Sequence, residues 1–365
     1  KGLRYWLLED VLDIAKPLDC PLRIEFSGAD ENQLAAVLQA FNLIERKGVG
    51  HLIKFVTQDP EVFQSIKEDA QKLNVLAILL EDLDIDILTY NVAGMWGPLS
   101  GSKDPELFMP MISARMNHYD LVLVQEDFSY HDALDMYSDH KYKSVPKRVT
   151  SPAAQVLLGP LGSPMIWNDG LNRFSNFPMT SFSRVEWNDS NGFFDSDSDD
   201  LAPKGFTFAR HEIKEGVFVD VYNLHMDAGE VGVDGDMDDV RTRQKQVNQL
   251  LVAIGKASEG HAVIIAGDTN LIEHDQYDEP VLERLVDGGG LTDSARKLGI
   301  TNSSFDRVLY RSSSNVQLEA TSWEFAPGFS VSILDPERQK DLLGYPLSDH
   351  KPVHVQMRVS YTRQK

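Results

Sequence analysis

The chain has 365 residues, 42% of them hydrophobic and 25% charged, which is enough for one large domain and a smaller one. It has no run of ~18 apolar residues that could span a membrane, and no basic segment followed by an apolar one at its start, so neither a membrane helix nor a signal peptide is predicted. The 35 basic and 56 acidic residues give a net charge of −21. Because phosphate contacts dominate nucleic-acid binding, this charge disfavours a polyanionic substrate.

The first 83 residues alternate between predicted strands and helices. Apolar runs predict strands at 21–26, 51–56 and 75–80, and apolar positions at helical spacing predict helices at 32–46 and 60–73. Strands separated by helices are typical of parallel pairing. We therefore predict a small βαβαβ segment of unknown role over 1–83 and a second domain over 84–365.

From Asp84 onward the pattern changes to short apolar strands that end in polar residues. Strands are predicted at 85–92, 119–125, 205–211, 217–224, 262–266, 307–310 and 353–359, and a helix at 240–254. Two acidic loops, at 195–200 and 227–239, are predicted to be solvated linkers, with a second cation site for an ion such as Ca²⁺ as the alternative.

Polar residues that suit chemistry lie at the boundaries of these predicted strands. They are Asn91, Glu126, His225, Asp268 with Asn270, Asp306, and Asp349 with His350. Strand ends converge on one edge of a sheet, so residues far apart in sequence can build one site there. Each residue alone is common at an ordinary turn, and only the ordered set is specific.

The set suits the hydrolysis of a phosphate ester. A hard cation such as Mg²⁺ prefers oxygen ligands, which Asn91, Glu126 and Asp349 can supply, with Mn²⁺ or Ca²⁺ as alternative ions. The metal would polarise a phosphoryl oxygen and neutralise developing charge.

Histidines paired with carboxylates can supply the acid–base chemistry. His225, and His350 together with Asp306, can take a proton from water or stabilise the transition state. Asp268 and Asn270 would orient the attacking water and bind a phosphoryl oxygen.

In this order the residues resemble the endonuclease/exonuclease/phosphatase superfamily, from Asp84 to about Ser360. The resemblance implies an α/β fold, a four-layer sandwich in which two mostly antiparallel sheets pack face to face between helices. It also implies the roles: Asn91 and Glu126 at the metal end, Asp349 completing the metal side, His225 and His350 as catalytic histidines, Asp306 orienting His350, and Asp268 with Asn270 positioning the water and the phosphate.

Within the superfamily, the chain is most similar to the bacterial-type neutral sphingomyelinases. Residues 168–179, 203–210 (Pro-Lys-Gly-Phe-Thr-Phe-Ala-Arg) and 239–244 carry this likeness. The chain departs from the pattern where Asn172 and Arg173 interrupt an expected apolar strand, and the loop after His225 lacks the cysteine pair of some secreted members. The resemblance implies a Mg²⁺-dependent phosphoric diester hydrolase of the phospholipase-C type, acting on sphingomyelin or a related phospholipid.

Other functions stay open at this point. A nuclease would need a basic rim, for which the candidates are Lys204, Arg210, Arg241, Arg243, Lys245 and Lys351, although no dense basic run exists. An inositol-phosphate or other soluble phosphoesterase would also need basic clamps. A binding or toxin subunit without activity is disfavoured, because every position of the catalytic set is filled.

A lipid substrate would bring the protein against a bilayer. The candidates for peripheral membrane contact are Met95, Trp96, Trp167, Phe193 and Phe194, although core packing is the favoured interpretation. The net charge suits a zwitterionic headgroup better than a polyanion.

The cellular location and the oligomeric state are open. The single cysteine, Cys20, excludes an internal disulfide, which fits a reducing compartment or a large secreted protein. The chain starts at Lys1 without a methionine, so we expect a trimmed form, and an extracellular location is slightly favoured.

Overall fold

The computed structural model describes residues 22–26, 53–57, 76–95, 100–147, 168–191, 204–229, 237–331 and 342–362, together with single helical positions between 40 and 67. The chain divides into two compact units, one made of Lys1–Leu83 and Ser360–Lys365 and the other of Asp84–Val359. Among the described residues, no helix is both long enough and apolar enough to cross a membrane.

The first unit contains parallel strands with helical positions between them, in agreement with the predicted alternation. Strand β1 (Leu22–Phe26) pairs with β2 (Ile53–Thr57), and β2 pairs with the start of β3 (Leu76–Asn91). The predicted break between residues 80 and 85 is wrong, because β3 is one strand of 16 residues. Its acidic residues Asp82 and Asp84 are exposed, so their charges are compatible with a strand.

The second unit contains two mixed sheets of six strands each, flanked by helices. In spatial order the first sheet is β5 (Tyr142–Lys143), β6 (Asn172–Ser175), β4 (Leu121–Gln125), β3, β14 (Val353–Thr362) and β13 (Val316–Phe325). The second is β11 (Thr292–Asp293), β12 (Asp306–Arg311), β10 (Ala262–Asp268), β9 (Val217–His225), β8 (Gly205–Lys214) and β7 (Met179–Glu186). The helices are α1 (Pro105–Met116), α2 (His131–Asp135), α3 (Asp238–Ala257), α4 (Glu279–Gly289) and α5 (Ser294–Lys297). The predicted four-layer α/β sandwich is confirmed.

The outer face of each sheet is apolar and is covered by helices. Alternate residues of β3 and β4, such as Leu88 and Val124, pack with Phe108 and Ile112 of α1. Side chains alternate between the two faces of a strand, so these positions form one continuous apolar surface. The second sheet packs in the same way, since Tyr222, Leu224, Val263 and Ile265 contact Val247 and Leu250 of α3 and Leu282 and Leu285 of α4. Each fully buried aliphatic side chain contributes about 1.5–3 kcal/mol relative to an exposed one.

The inner layer between the sheets contains polar side chains, and it explains why Asn172 and Arg173 do not interrupt β6. The Arg173 side chain is fully buried, where Nη2 donates to the Thr207 carbonyl at 3.0 Å and Nη1 to the Val221 carbonyl at 3.2 Å. Burial lowers the pKa of Arg173 to about 9, and burial beside Arg173 lowers the pKa of His211 to about 3. The strand forms because carbonyls of the opposite sheet accept the guanidinium hydrogens.

Candidate active site

Asn91 and Glu126 lie together because they end two parallel strands. Asn91 is paired with Gln125, and the chain turns at Glu126, whose φ is +57°. Asn91 Nδ2 donates to Glu126 Oε1 at 2.8 Å, while Asn91 Oδ1 accepts from the Ala93 amide at 3.0 Å. This left-handed backbone is costly for a residue other than glycine, and it directs the carboxylate towards Asn91.

The second sheet supplies His225, Asp268 and Asp306 from three adjacent strands. Asp268 is in register with His225 on one side and with Asp306 on the other. The Nε2 atom of His225 lies 3.5 Å from Asp268 Oδ2. Asn270, with φ of +49°, donates from its backbone amide to Asp268 Oδ1 at 3.0 Å and from Nδ2 to the Met226 carbonyl at 3.0 Å. The predicted residues of this sheet therefore form one group.

Direct contacts join the two sheets at the site. Asn91 Nδ2 donates to Asp268 Oδ2 at 3.0 Å, and His225 Nε2 lies 4.0 Å from Glu126 Oε1. Asn91, His225 and Asp268 are all buried. The site is thus built at one end of the layer between the sheets.

His350 enters the group from the segment before β14. Its Nδ1 donates to Asp306 Oδ2 at 2.8 Å, and its Nε2 lies 3.7 Å from Asp268 Oδ2. Asp306 Oδ2 also accepts from Ser304 Oγ at 2.9 Å. Asp306 therefore orients the His350 ring, in the geometry that the sequence predicted.

The two histidines have opposite charge states. Burial, together with the positive charge of Lys204, lowers the pKa of His225 well below its ordinary value, so this ring is neutral. Burial would also lower the pKa of His350, but the carboxylates of Asp306 and Asp268 outweigh it and raise that pKa to about 10. Burial raises the pKa of Glu126, and the hydrogen bond from Asn91 offsets this only in part.

Asp349 is exposed and acts on the group through its charge. Its Oδ1 accepts from Ser348 Oγ at 3.1 Å, and its negative charge raises the pKa of both Glu126 and His350. Gly101 packs directly against this carboxylate, where a Cβ atom would collide with Oδ2. The absence of a side chain at Gly101 therefore allows Asp349 to adopt this position.

The donor set fits a divalent cation. Glu126 and Asp349 bring carboxylate oxygens to the end of the site where Asn91 lies, and burial, with a smaller contribution from the charge of Asp349, raises the pKa of Glu126, which a bound cation would lower. Ligand atoms of Asp268, Asp306 and His350 also lie within 4.8 Å of one another. In that second set, however, His350 is already hydrogen-bonded to Asp306 at 2.8 Å, so the set fits a hydrogen-bonded cluster better than a metal site.

Lys204 also belongs to the site. The sequence analysis named it only within residues 203–210, which resemble sphingomyelinases, and as one candidate for a basic rim. Its charge lowers the pKa of both Glu126 and His225. Four of the other rim candidates form ion pairs with acidic side chains. These pairs are Arg210 with Asp220 at 2.7 Å, Arg241 with Asp238 at 2.8 Å, Arg243 with Asp278 at 3.0 Å and Lys245 with Asp189 at 2.7 Å. The fifth, Lys351, lies over the Phe325 ring. These ion pairs disfavour a basic nucleic-acid groove.

Several other predictions concern the loops. Trp96, Trp167, Phe193 and Phe194, as well as the acidic loop at 195–200, lie outside the described residues. The prediction of a solvated loop at 227–239 is wrong at Asp227, which is buried and accepts from the Asn191 amide at 3.0 Å. Arg243 holds the same segment by donating to the carbonyls of residues 227–229, and the sequence contains no signal of that contact.

Comparison with known proteins identifies relatives of the chain. A protein named sphingomyelinase from Mycobacterium tuberculosis is 34% identical over 290 residues, which is 74% of this chain and 52% of that protein. This chain is thus similar in sequence to proteins named sphingomyelinase. It spans about half the length of the relatives that it matches. No protein-family model matches it.

Solved structures with the same fold agree with this relationship. Sphingomyelinase C from Streptomyces griseocarneus has a TM-score of 0.52 at 19% identity, covering 75% of this chain and 99% of that one. Staphylococcus aureus beta toxin with bound magnesium ions has a TM-score of 0.51 at 17% identity, covering 77% and 100%. An endonuclease/exonuclease/phosphatase family protein from Bacteroides thetaiotaomicron has a TM-score of 0.52 at 14% identity, covering 76% and 96%. The likeness to sphingomyelinases inferred from the motifs is confirmed by the sequence relative, and these structures share the fold of the chain.

Proposed function

We propose that the chain is a divalent-metal-dependent phosphodiesterase of the phospholipase-C type that hydrolyses sphingomyelin. The observation that carries this proposal is the meeting of Asn91, Glu126, His225, Asp268 and His350 at one end of the two sheets. In this set, the Glu126 carboxylate can bind a cation and the Asp268 carboxylate can orient the attacking water. The imidazoles of His225 and His350 have opposite charge states. The 34% identity to sphingomyelinases supports the same reaction.

Asp268 is the group that orients and deprotonates the attacking water. Its Oδ2 lies near Nε2 of both His225 and His350, at 3.5 and 3.7 Å. Water held by Asp268 attacks phosphorus in line, and the proton of the water passes to this carboxylate. Asn270 is hydrogen-bonded to Asp268 and holds the loop on which both side chains lie.

His350 provides the positive charge and the proton that the reaction requires. The ring is held by Asp306 and is protonated at neutral pH, so it can donate to the departing alcohol oxygen. The neutral ring of His225 can donate a hydrogen bond to a phosphoryl oxygen as negative charge develops there. The water proton and the His350 proton together balance the reaction.

Mg²⁺ is the proposed cation, and Glu126, Asn91 and Asp349 are the residues that would hold it. A bound divalent ion would polarise a phosphoryl oxygen and neutralise its charge. The beta toxin of the same fold contains bound magnesium ions, which supports this choice over Mn²⁺ or Ca²⁺.

A zwitterionic phospholipid headgroup suits this protein better than a nucleic acid. The net charge is −21, and the five rim candidates other than Lys204 form ion pairs or stack on an aromatic ring. A nuclease is the second candidate, because it would use the same catalytic residues. Peripheral membrane contact, an extracellular location and a separate domain over 1–83 stay predictions.

A substrate panel tests the proposal. Sphingomyelin vesicles, phosphatidylcholine vesicles, plasmid DNA and a soluble inositol phosphate are each incubated with the protein and Mg²⁺. We expect phosphocholine release from sphingomyelin and intact DNA. Cleavage of DNA without lipid turnover would instead support the nuclease, and turnover of the inositol phosphate alone would support a soluble phosphoesterase.

A further inference from the structure

Two carboxamides connect the sheets directly below the site. Asn223 lies on β9 of the second sheet, and Gln125 lies on β4 of the first. Gln125 Nε2 donates to Asn223 Oδ1 at 2.7 Å, and both side chains are fully buried. The side chain of one residue thus reaches across the inner layer to the other.

The orientation of the pair follows from its surroundings. Asn223 Nδ2 donates to the carbonyls of Val124 at 2.9 Å and Asn172 at 3.0 Å, both in the first sheet. Its Oδ1 must therefore accept, and Gln125 must present its amide hydrogens. Asn223 makes three hydrogen bonds of 3.0 Å or less to the opposite sheet, whereas an apolar side chain could make none.

Each member of the pair lies next to a residue of the site. Gln125 directly precedes Glu126, and Asn223 precedes His225 by two residues, which puts both on the same face of β9. Glu126 Oε1 and His225 Nε2, which belong to different sheets, lie 4.0 Å apart. Besides the hydrogen bonds of Asn91 to Glu126 and Asp268, the pair is a second link between the sheets close to these two groups.

The pair is poorly suited to a purely stabilising role. Gln125 Oε1 is buried and accepts no hydrogen bond from any described residue. Such an atom costs about 1–3 kcal/mol, which offsets part of the stabilisation from the hydrogen bonds of the pair. What an apolar pair would not provide is a fixed distance and register between the sheets.

We infer that Asn223 and Gln125 are positioning residues whose carboxamide bridge sets the separation of Glu126 and His225. The kinetic consequence of this inference rests on the proposed function. A displacement of about 1 Å in a catalytic group can lower turnover by about 10²-fold. The bridge therefore affects kcat through the alignment of groups that it does not itself contact.

The test compares Asn223→Leu, Gln125→Met and the double variant with wild type in sphingomyelin hydrolysis. We expect each single variant to lower kcat by about 10²-fold, with KM changed by less than about twofold, because alignment in the transition state is lost rather than headgroup binding. The double variant should be no slower than the slower single variant, because the two side chains act as one unit. If Asn223→Leu does not fold, Gln125→Met tests the same bridge while leaving two of the three hydrogen bonds of Asn223.

Tyr222→Phe is the matched control. The Tyr222 hydroxyl makes a buried hydrogen bond of 2.8 Å to Ser258 Oγ on the helix-covered face of the same strand. Its loss should lower the melting temperature while kcat stays within about twofold of wild type. If the bridge variants behave like this control, with lower melting temperatures and unchanged kcat, the bridge is only structural and the inference is wrong.

Crystal structures separate this inference from the proposed function. In the Asn223→Leu variant we expect the distance between Glu126 Oε1 and His225 Nε2 to differ from the wild-type 4.0 Å by more than the coordinate error. An unchanged distance would overturn the inference whatever the protein hydrolyses. If wild type hydrolyses none of the esters offered, the proposed function fails, and the distance still decides on the bridge.

Discussion

The two faces of the same strands differ in composition and in role. On β9, Tyr222 and Leu224 pack in the apolar cluster under α3, while Asn223 and His225 point into the layer between the sheets. On β4, likewise, Val124 packs in the apolar cluster under α1, and Gln125 points into the layer between the sheets. Residues adjacent in the sequence therefore lie in two different environments, the apolar face under the helices and the polar layer between the sheets.

The outer faces consist mainly of buried apolar side chains, and the inner layer near the site does not. That layer contains two charged or chargeable rings, carboxylates with few cations, and buried polar atoms such as His225 Nδ1 and Asp306 Oδ1 that have no partner among the described residues. Glu126 and Asn270 also adopt left-handed backbone conformations. The difference indicates that apolar packing on the outer faces compensates for the destabilisation that the geometry of the inner layer causes.

The largest expected effect is the loss of turnover when either histidine is removed. His225→Ala or His350→Ala should lower kcat by about 10³-fold or more, because each ring acts on the reacting phosphate. The far-UV circular dichroism spectrum should not change. His354→Ala, which removes a histidine bound to Asp86 and Glu324, is the control and should retain wild-type kcat. Wild-type rates in either active-site variant would contradict the assignment.

On the helix-covered face, substitution should affect stability but not chemistry. Leu224→Ala removes a fully buried side chain next to Asn223 and should lower the free energy of unfolding by about 2–5 kcal/mol. Urea unfolding measures this loss, and kcat is measured at a temperature where the variant is folded. A strong decrease in kcat there would mean that the two faces are not independent.

A smaller effect concerns the charge of His350. Its pKa in the folded protein is raised to about 10, so its contribution to stability is complete below about pH 6.5, the ordinary histidine pKa, and is lost as the pH rises through 10. Asp306→Asn removes a carboxylate that raises this pKa. In EDTA, the difference in melting temperature between wild type and the variant should be largest near pH 6 and should shrink towards pH 10. A difference that does not vary with pH would contradict this account.

The smallest expected effect is a gain of stability at Glu126. Burial raises the pKa of this carboxyl group, so in the absence of a cation ionising it costs more free energy in the folded protein than in the unfolded chain. Glu126→Gln keeps the acceptor for Asn91 and removes the charge. In EDTA at pH 7.5 we expect the melting temperature of the variant to be a few degrees higher than that of wild type. An equal or lower melting temperature would show that the charge of Glu126 does not destabilise the folded state.

The sequence was sufficient to predict that these residues come together, because most of them lie at the ends of strands. The carboxyl ends of the parallel strands β3 and β4 lie together, as do those of β9 and β10, so the meeting of Asn91 with Glu126 and of His225 with Asp268 follows from strand order alone. The pairing of His350 with Asp306 followed from the family resemblance.

The remaining features depend on contacts between distant segments, which local patterns do not encode. Arg173 is compatible with a buried strand only because Thr207 and Val221 offer carbonyls from the other sheet. Asp227 is buried because Arg243 and Asn191 hold its segment. The helix α1 was not predicted, because it contains Pro110, a residue that usually ends a helix.

The central claim is that a cation held by Glu126 drives the hydrolysis of a phospholipid diester. The most direct measurement is phosphocholine release from sphingomyelin vesicles in EDTA and after addition of Mg²⁺, for wild type and Glu126→Gln. We predict no release in EDTA, recovery of wild-type activity with Mg²⁺, and no recovery in the variant. Release that persists in EDTA, or equal activation of Glu126→Gln by Mg²⁺, would contradict the account.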